Sequence, residues 1–132
     1  SRDIISMSNI ANLLKENQNN KDFVNAIEGY KRLKNIVKQN TTMDINPKLF
    51  TIKDEIKLYE QFEIIKSQFT NESIRKSPKK TLTGILNITP FLSNFFENVV
   101  VMDKNEKIKN NRISLLTKIK DLISRFANLS EI

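Results

Sequence analysis

With 132 residues the chain fits one domain, long enough to bury roughly 65% of the surface its unfolded form exposes. It contains no cysteine and no histidine, which excludes disulfides, thiol nucleophiles, ordinary zinc sites and histidine acid–base chemistry. Two glycines and three prolines are too few turn residues for an all-β fold, and a net charge of +7 favours a polyanionic partner, a solvated basic surface or a membrane surface.

In chain order, DIISMSNIANLLKE sets Ile4, Met7, Ile10, Ala11 and Leu14 at helical spacing behind a cap at Asp3. After the polar NQNNK, Asp22 is expected to cap a second helix, FVNAIEGYKRLKNIVKQ. Its inner face holds Phe23, Ala26, Ile27, Tyr30, Leu33 and Val37, and its outer face Glu28, Lys31, Arg32, Asn35 and Gln39. Lys34 intrudes on the inner stripe and is expected to reach outward at its edge. Pro47 bars a helix through NTTMDINP, and Leu49 and Phe50 supply apolar anchors just after it.

Thr51 and Asp54 resemble a capping box for a third helix running to about Phe69. It is apolar over a broad arc, with Ile52, Ile56 and Tyr59 on one side and Phe62, Ile65 and Phe69 on another. TNESIRKSPKK reads as a basic connection. Ser77-Pro78 opens a short helix through Asn87, and Thr89-Pro90 opens the next. Phe91, Leu92, Phe95, Phe96, Val99 and Val100 then follow the helical period and not the alternation of a strand, so the valine run reads as the end of a buried helix. A turn near Met102, with Asp103 and Glu106 as a capping box, leads into the last helix. That helix aligns Ile108, Leu115, Ile119, Leu122 and Phe126, flanked by Leu116 and Ile123.

The expected fold is all-α: a single domain over residues 1–132 in the form of a bundle of about six helices. No apolar run reaches the ~20 residues that cross a bilayer, so a soluble, cytoplasmic chain is expected. A start at Ser1 and not at Met is expected of a domain cut from a longer protein.

Catalytic chemistry is not foreseen. Gly29 and Gly84 are isolated, so there is no phosphate-cradling loop, and no carboxylates show metal-ligand spacing. Asp54 and Glu55 are adjacent and would point apart on a helix, while Glu60 and Glu63 share a face expected to be wet. The candidates are basic. Lys31, Arg32, Asn35 and Lys38 form a stripe on the second helix; Arg75, Lys76, Lys79 and Lys80 surround the start of the fourth; Lys104, Lys107 and Lys109 surround the start of the last. Lys79, Lys80 and Lys104 stand near helix N-termini, where the macrodipole disfavours cations, which turns the reading towards phosphate contact. Arg112 falls on the apolar face between Ile108 and Leu115. It is either structural, paired with a carboxylate such as Glu97 or Asp103 or bonding loop carbonyls, or a ligand contact, and its neighbour Asn111 carries the same two readings.

FFENVVVM followed by NEKIKNNRISLL resembles a signature of the β subunit of the bacterial two-subunit glycyl-tRNA synthetase. Phe95, Phe96, Glu97, Val99, Val101, Met102, Glu106, Asn111, Arg112, Ile113, Leu115 and Leu116 carry it. Upstream, GYKRLKNIV is similar through Lys31, Arg32, Asn35 and Ile36, and so is the closing RFANLSEI. Asn105, Lys109 and Asn128 stand where that family usually has Asp, Arg and Asp. Residues 40–90 match mainly through Leu49-Phe50 and the helix after them.

The resemblance implies an all-helical anticodon-binding domain related to the DALR domains of arginyl-tRNA synthetase. The domain itself would hold no cofactor; glycine activation with ATP and Mg²⁺ would lie on the α subunit. Implied partners are the anticodon arm of glycine tRNA, the rest of the β subunit and the α subunit, with no membrane and no DNA. Glycine anticodons carry two cytosines, and an unstacked cytosine offers an N4 donor and N3 and O2 acceptors. Arg32 and Asn35 could meet these while Lys31 and Lys38 hold phosphates. Two other readings stay open. An arginyl-type anticodon domain tends to end in a Gly-Leu-rich tail, unlike FANLSEI, and a basic helical module could dock an acidic protein partner through Lys31 and Arg32.

Overall fold

The computed structural model describes residues 10–38 and 43–130, with side chains through residue 127. The elements within this range are helical: α1 over 10–16, α2 at Lys21–Ile36, a 3-10 turn at Pro47–Leu49, α3 at Lys53–Ile65 continued by a 3-10 turn at Lys66–Phe69, α4 at Asn71–Lys76, α5 at Pro78–Asn98 and α6 at Glu106–Ser130. The all-α expectation holds. No described helix is long and apolar enough to cross a membrane. The expected cap Asp3, the expected core positions Ile4 and Met7, and Gln39 lie outside the described residues, as does the side chain of Asn128.

Cross-contacts give the helix directions. Arg32 meets Phe96 and Gly29 faces Leu92, so α2 and α5 run parallel. Glu55 meets Arg112 and the Phe69 carbonyl meets Arg125, so α3 and α6 run parallel to each other. Tyr30 with Ser124, and Val37 with Lys120, set α6 antiparallel to α2. One end of the bundle therefore gathers the C-termini of α2 and α5, the N-termini of α3 and α6, and the connectors 43–52 and 99–105. α1, α4 and the start of α5 lie at the other end.

The core is built on helical stripes. On α6 it takes Leu115, Leu116, Ile119, Leu122, Ile123 and Phe126, as the spacing predicts. On α3 the buried stripe runs through Glu55, Leu58, Phe62 and Ile65 to Phe69, while Ile56, expected inside, is 38% exposed. Ile27 is likewise exposed, and on α1 the core takes Leu13 in place of Ala11. Buried hydroxyls are satisfied locally: Thr81, Thr89, Ser114 and Thr117 each donate to the carbonyl four residues earlier.

Helix boundaries depart from the expected ones in instructive ways. The presumed basic connection is α4, capped by Thr70, whose Oγ1 accepts from the Ser73 N–H at 3.0 Å, and anchored by buried Ile74. Pro78 takes the first turn of α5 as expected, but Pro90 opens no helix: α5 runs straight through it. Pro90 is exposed, so the carbonyl four residues back loses its helical donor on the wet side, where solvent replaces it. Leu82, Ile85, Ile88, Leu92 and Phe95 meanwhile stay on one buried face, and that burial outweighs the missing bond.

The valine run is neither strand nor helix. α5 ends at Asn98, and Val99 is extended with its side chain buried and its N–H on the Phe95 carbonyl. Val100 and Met102 are 66% and 61% exposed. The caps differ too. Asn20 caps α2 by accepting from the Asp22 and Phe23 N–H groups, leaving Asp22 in the first turn, where its charge suits the dipole. Glu55 reaches back to the Thr51 and Ile52 N–H groups in place of Asp54. Asn105 caps α6 through the Lys107 and Ile108 N–H groups, and Asp103 accepts in turn from the Asn105 N–H.

Gly29 sits in mid-α2, where an added Cβ would meet Leu92 Cδ2 at 3.5 Å, an ordinary contact. Gly29→Ala is expected to raise stability by about 0.5–1 kcal/mol through helix propensity alone. A lowered urea midpoint would show instead that α2 and α5 leave no room for a methyl group.

Candidate nucleic-acid interface

Burial of Leu33 and Val37 against the core turns Lys31, Arg32 and Asn35 outward on α2, and all three are exposed. Lys38 is exposed as well, but it lies beyond the helix, past the C-cap Val37, so the helical wheel does not place it. The two flanks of α2 differ. Towards α6, exposed Lys34 carries its Nζ 5.0 Å from the Tyr30 ring, and the Tyr30 hydroxyl shares a 2.7 Å hydrogen bond with Ser124. Towards α5, the Arg32 guanidinium carbon lies 4.6 Å from the centre of the Phe96 ring. Phe96 is half-buried and set edge-on to the buried ring of Phe95, at 6.1 Å and 79°.

The second basic group is elsewhere. Lys76, Lys79 and Lys80 line an open cleft of about 570 Å³ with Asn12, Leu13, Glu16, Ser77 and Pro78. Lys79 and Phe96 sit at opposite ends of α5, about 25 Å apart along its axis at 1.5 Å per residue. No single nucleotide spans that gap. The charge in the cleft is also partly answered from within. Lys76 pairs with Glu72 at 2.7 Å, and that hydrogen bond holds the Glu72 carboxyl below the usual carboxylate range. Arg75 is half-buried with an interaction of its own.

The third group shares the Arg32 end of the bundle. Lys104 and Lys107 are exposed, whereas Lys109 is half-buried and pairs with Glu106 at 3.1 Å.

Asn111 and Arg112 are structural. Both are buried, at 5% and 4% exposure. Asn111 clamps the backbone of Asn46 from both sides: its Oδ1 accepts from the Asn46 N–H at 2.7 Å, and its Nδ2 donates to the Asn46 carbonyl at 2.9 Å. Arg112 donates from Nε to Glu55 Oε2 at 2.8 Å and from Nη1 to the Val100 carbonyl at 2.6 Å, with Asp103 Oδ2 at 3.5 Å. Asp103 was an expected partner, but exposed Glu97 was not the other; Glu55 is. By taking the Val100 carbonyl, Arg112 also turns that segment inward at the backbone and leaves its side chain in solvent.

Sequence reasoning named Glu55 and Phe96 but gave neither its observed role. A signal existed for Glu55: it keeps the three–four spacing of Leu58, Phe62, Ile65 and Phe69, so an acid falls on a core stripe while Arg112 falls on another. For Phe96 the period marked an inward position, and nothing local distinguished an aromatic in the core from one at its rim.

Residues 26–131 match the family model described as the DALR anticodon binding domain. The chain is similar to the glycine–tRNA ligase beta subunit of Thermodesulfovibrio yellowstonii, at 35% identity over 111 residues, covering 84% of the chain and 16% of that protein. The subunit from Halothermothrix orenii is 37% identical over 111 residues, with 83% and 16% covered, and that from a Sulfurihydrogenibium species 34% over 122 residues, with 90% and 18% covered. The chain thus spans 16% to 18% of the length of these relatives.

Proposed function

Because the chain belongs to the DALR anticodon binding domain family, we propose that it grips the anticodon arm of glycine tRNA as one part of a glycine–tRNA ligase beta subunit. The observation that carries this reading is the exposed trio Lys31, Arg32 and Asn35 on one helix, bordered by the ring of Phe96. Guanidinium and amide groups supply donors for cytosine O2 and N3, and the Asn35 carbonyl supplies an acceptor for the N4 amino group. Lys31 and Lys38 neutralise phosphates on either side, and Lys104, at the same end, extends the basic surface. Lys109 contributes less, since Glu106 already answers its charge. Arg75, Lys76, Lys79 and Lys80, at the other end of α5, face the tRNA outside its anticodon arm and add nothing to binding of the arm itself.

In this reading glycine activation, with ATP and Mg²⁺, belongs to the α subunit. This domain contributes grip remote from the reacting atoms, binding energy that orients the substrate. The complex works in the cytoplasm, beside the rest of the beta subunit.

Titration with a hairpin of the glycine-tRNA anticodon arm tests the proposal. If about four phosphates are neutralised, log affinity falls against log salt with a slope near −3, at ~0.7 per contact. Replacing either anticodon cytosine is expected to weaken binding about tenfold or more. A surface for an acidic protein partner would use the same cations but ignore base identity. Binding indifferent to both salt and anticodon would overturn the reading.

A further inference from the structure

Arg32 is not a free surface arginine. Its guanidinium is already seated against Phe96 at 4.6 Å, and Phe96 is itself steadied edge-on by the fully buried ring of Phe95. A flexible cation needs no such support to meet a phosphate, which a lysine also binds as a point charge. What the support provides is a planar group held over an aromatic ring, with the side chain otherwise exposed. Asn35 lies one helical turn later on the same exposed side, and Lys31 precedes it. Planar cations of this kind accept the face of a nucleobase, while their edges and a neighbouring amide read its hydrogen-bonding groups.

Building on the proposed anticodon grip, we infer that the face of Arg32 turned away from Phe96 is the stacking seat of one unstacked anticodon base, and that Phe96 is the positioning residue that holds the seat. Stacking accepts any base, so this seat supplies affinity. Base identity is read at the edge, by Asn35. The two contributions are separable: removing a base removes stacking, whereas changing a base leaves it.

The test is a set of anticodon-arm hairpins, each with one anticodon nucleotide made abasic, titrated against the wild-type chain, Arg32→Lys, Phe96→Leu and Phe96→Tyr. Arg32→Lys keeps the charge and loses the plane. Phe96→Leu keeps an apolar side chain of similar reach and loses the ring, and Phe96→Tyr keeps the ring. One abasic position is expected to cost the wild type and Phe96→Tyr about tenfold in affinity. The same hairpin is expected to cost Arg32→Lys and Phe96→Leu less than about twofold, because the seat is gone in both. Should Phe96→Leu fail to fold by circular dichroism, the exposed Arg32→Lys decides alone. A full abasic penalty retained in Arg32→Lys overturns the seat while leaving the RNA reading intact. A wild-type chain that does not bind the unmodified hairpin overturns that reading, and the seat with it.

Discussion

Glu55→Ala is expected to destabilise the fold by about 3–5 kcal/mol, the cost of leaving one member of a buried ion pair uncompensated. Glu55 is 1% exposed and holds three donors: the Thr51 and Ile52 N–H groups at the start of α3, and Arg112 Nε on α6. Without it Arg112 keeps the Val100 carbonyl and the longer contact to Asp103, and neither replaces a carboxylate at 2.8 Å. A domain of this size has about 5–15 kcal/mol in total, so the variant would keep little of its stability. Urea unfolding should show the midpoint falling by roughly 2 M. Glu60→Ala, at an exposed position on the same helix, should stay within about 0.5 kcal/mol of the parent. A double replacement, Glu55→Leu with Arg112→Met, should recover much of the loss, because an apolar pair needs no mutual partner. A loss under about 1 kcal/mol for Glu55→Ala would show that Arg112 does not depend on this carboxylate.

The second large effect is expected in binding and not in stability. Lys31→Gln with Lys38→Gln removes two proposed phosphate contacts at exposed positions. At ~0.7 log units per contact for each tenfold in salt, the pair is expected to lower hairpin affinity roughly 25-fold at 0.1 M salt relative to its effect at 1 M, and to flatten the slope from about −2.8 to about −1.4. Lys79→Gln with Lys80→Gln removes the same charge about 25 Å away, beyond the ~10 Å screening length at 0.1 M, and should cost less than about threefold. Equal losses from the two pairs would mean that one RNA is gripped along the whole of α5 and that the α2 face has no special part. A stability change in either pair would be unexpected, since none of the four side chains is buried.

Much of this was legible from the residues. The stripe on α6, the exposure of Lys31, Arg32 and Asn35, and the outward reach of Lys34 all follow from where apolar side chains recur along a helix. Boundaries were harder. A cap is decided by which short side chain reaches the second or third free N–H, and Asn20 and Asn105 each stand two residues from the expected caps Asp22 and Asp103. Pro90 misled because its local rule is sound, yet the rule carries no knowledge of what the other side of the helix buries. The valine run misled for the same reason: its end is decided by Arg112, on another helix, taking a carbonyl.

Residue types and their spacing were sufficient, unaided, for an all-α chain with a basic exterior and an outward-facing Lys31, Arg32 and Asn35, because burial of a periodic stripe is a property of each segment. The folded arrangement alone decided that Arg112 belongs to Glu55, that Asn111 belongs to Asn46, that Lys79 and Arg32 stand at opposite ends of α5, and that Arg32 rests on Phe96. Those pairings join residues remote along the chain, and their free energy exists only once the helices that carry them have packed.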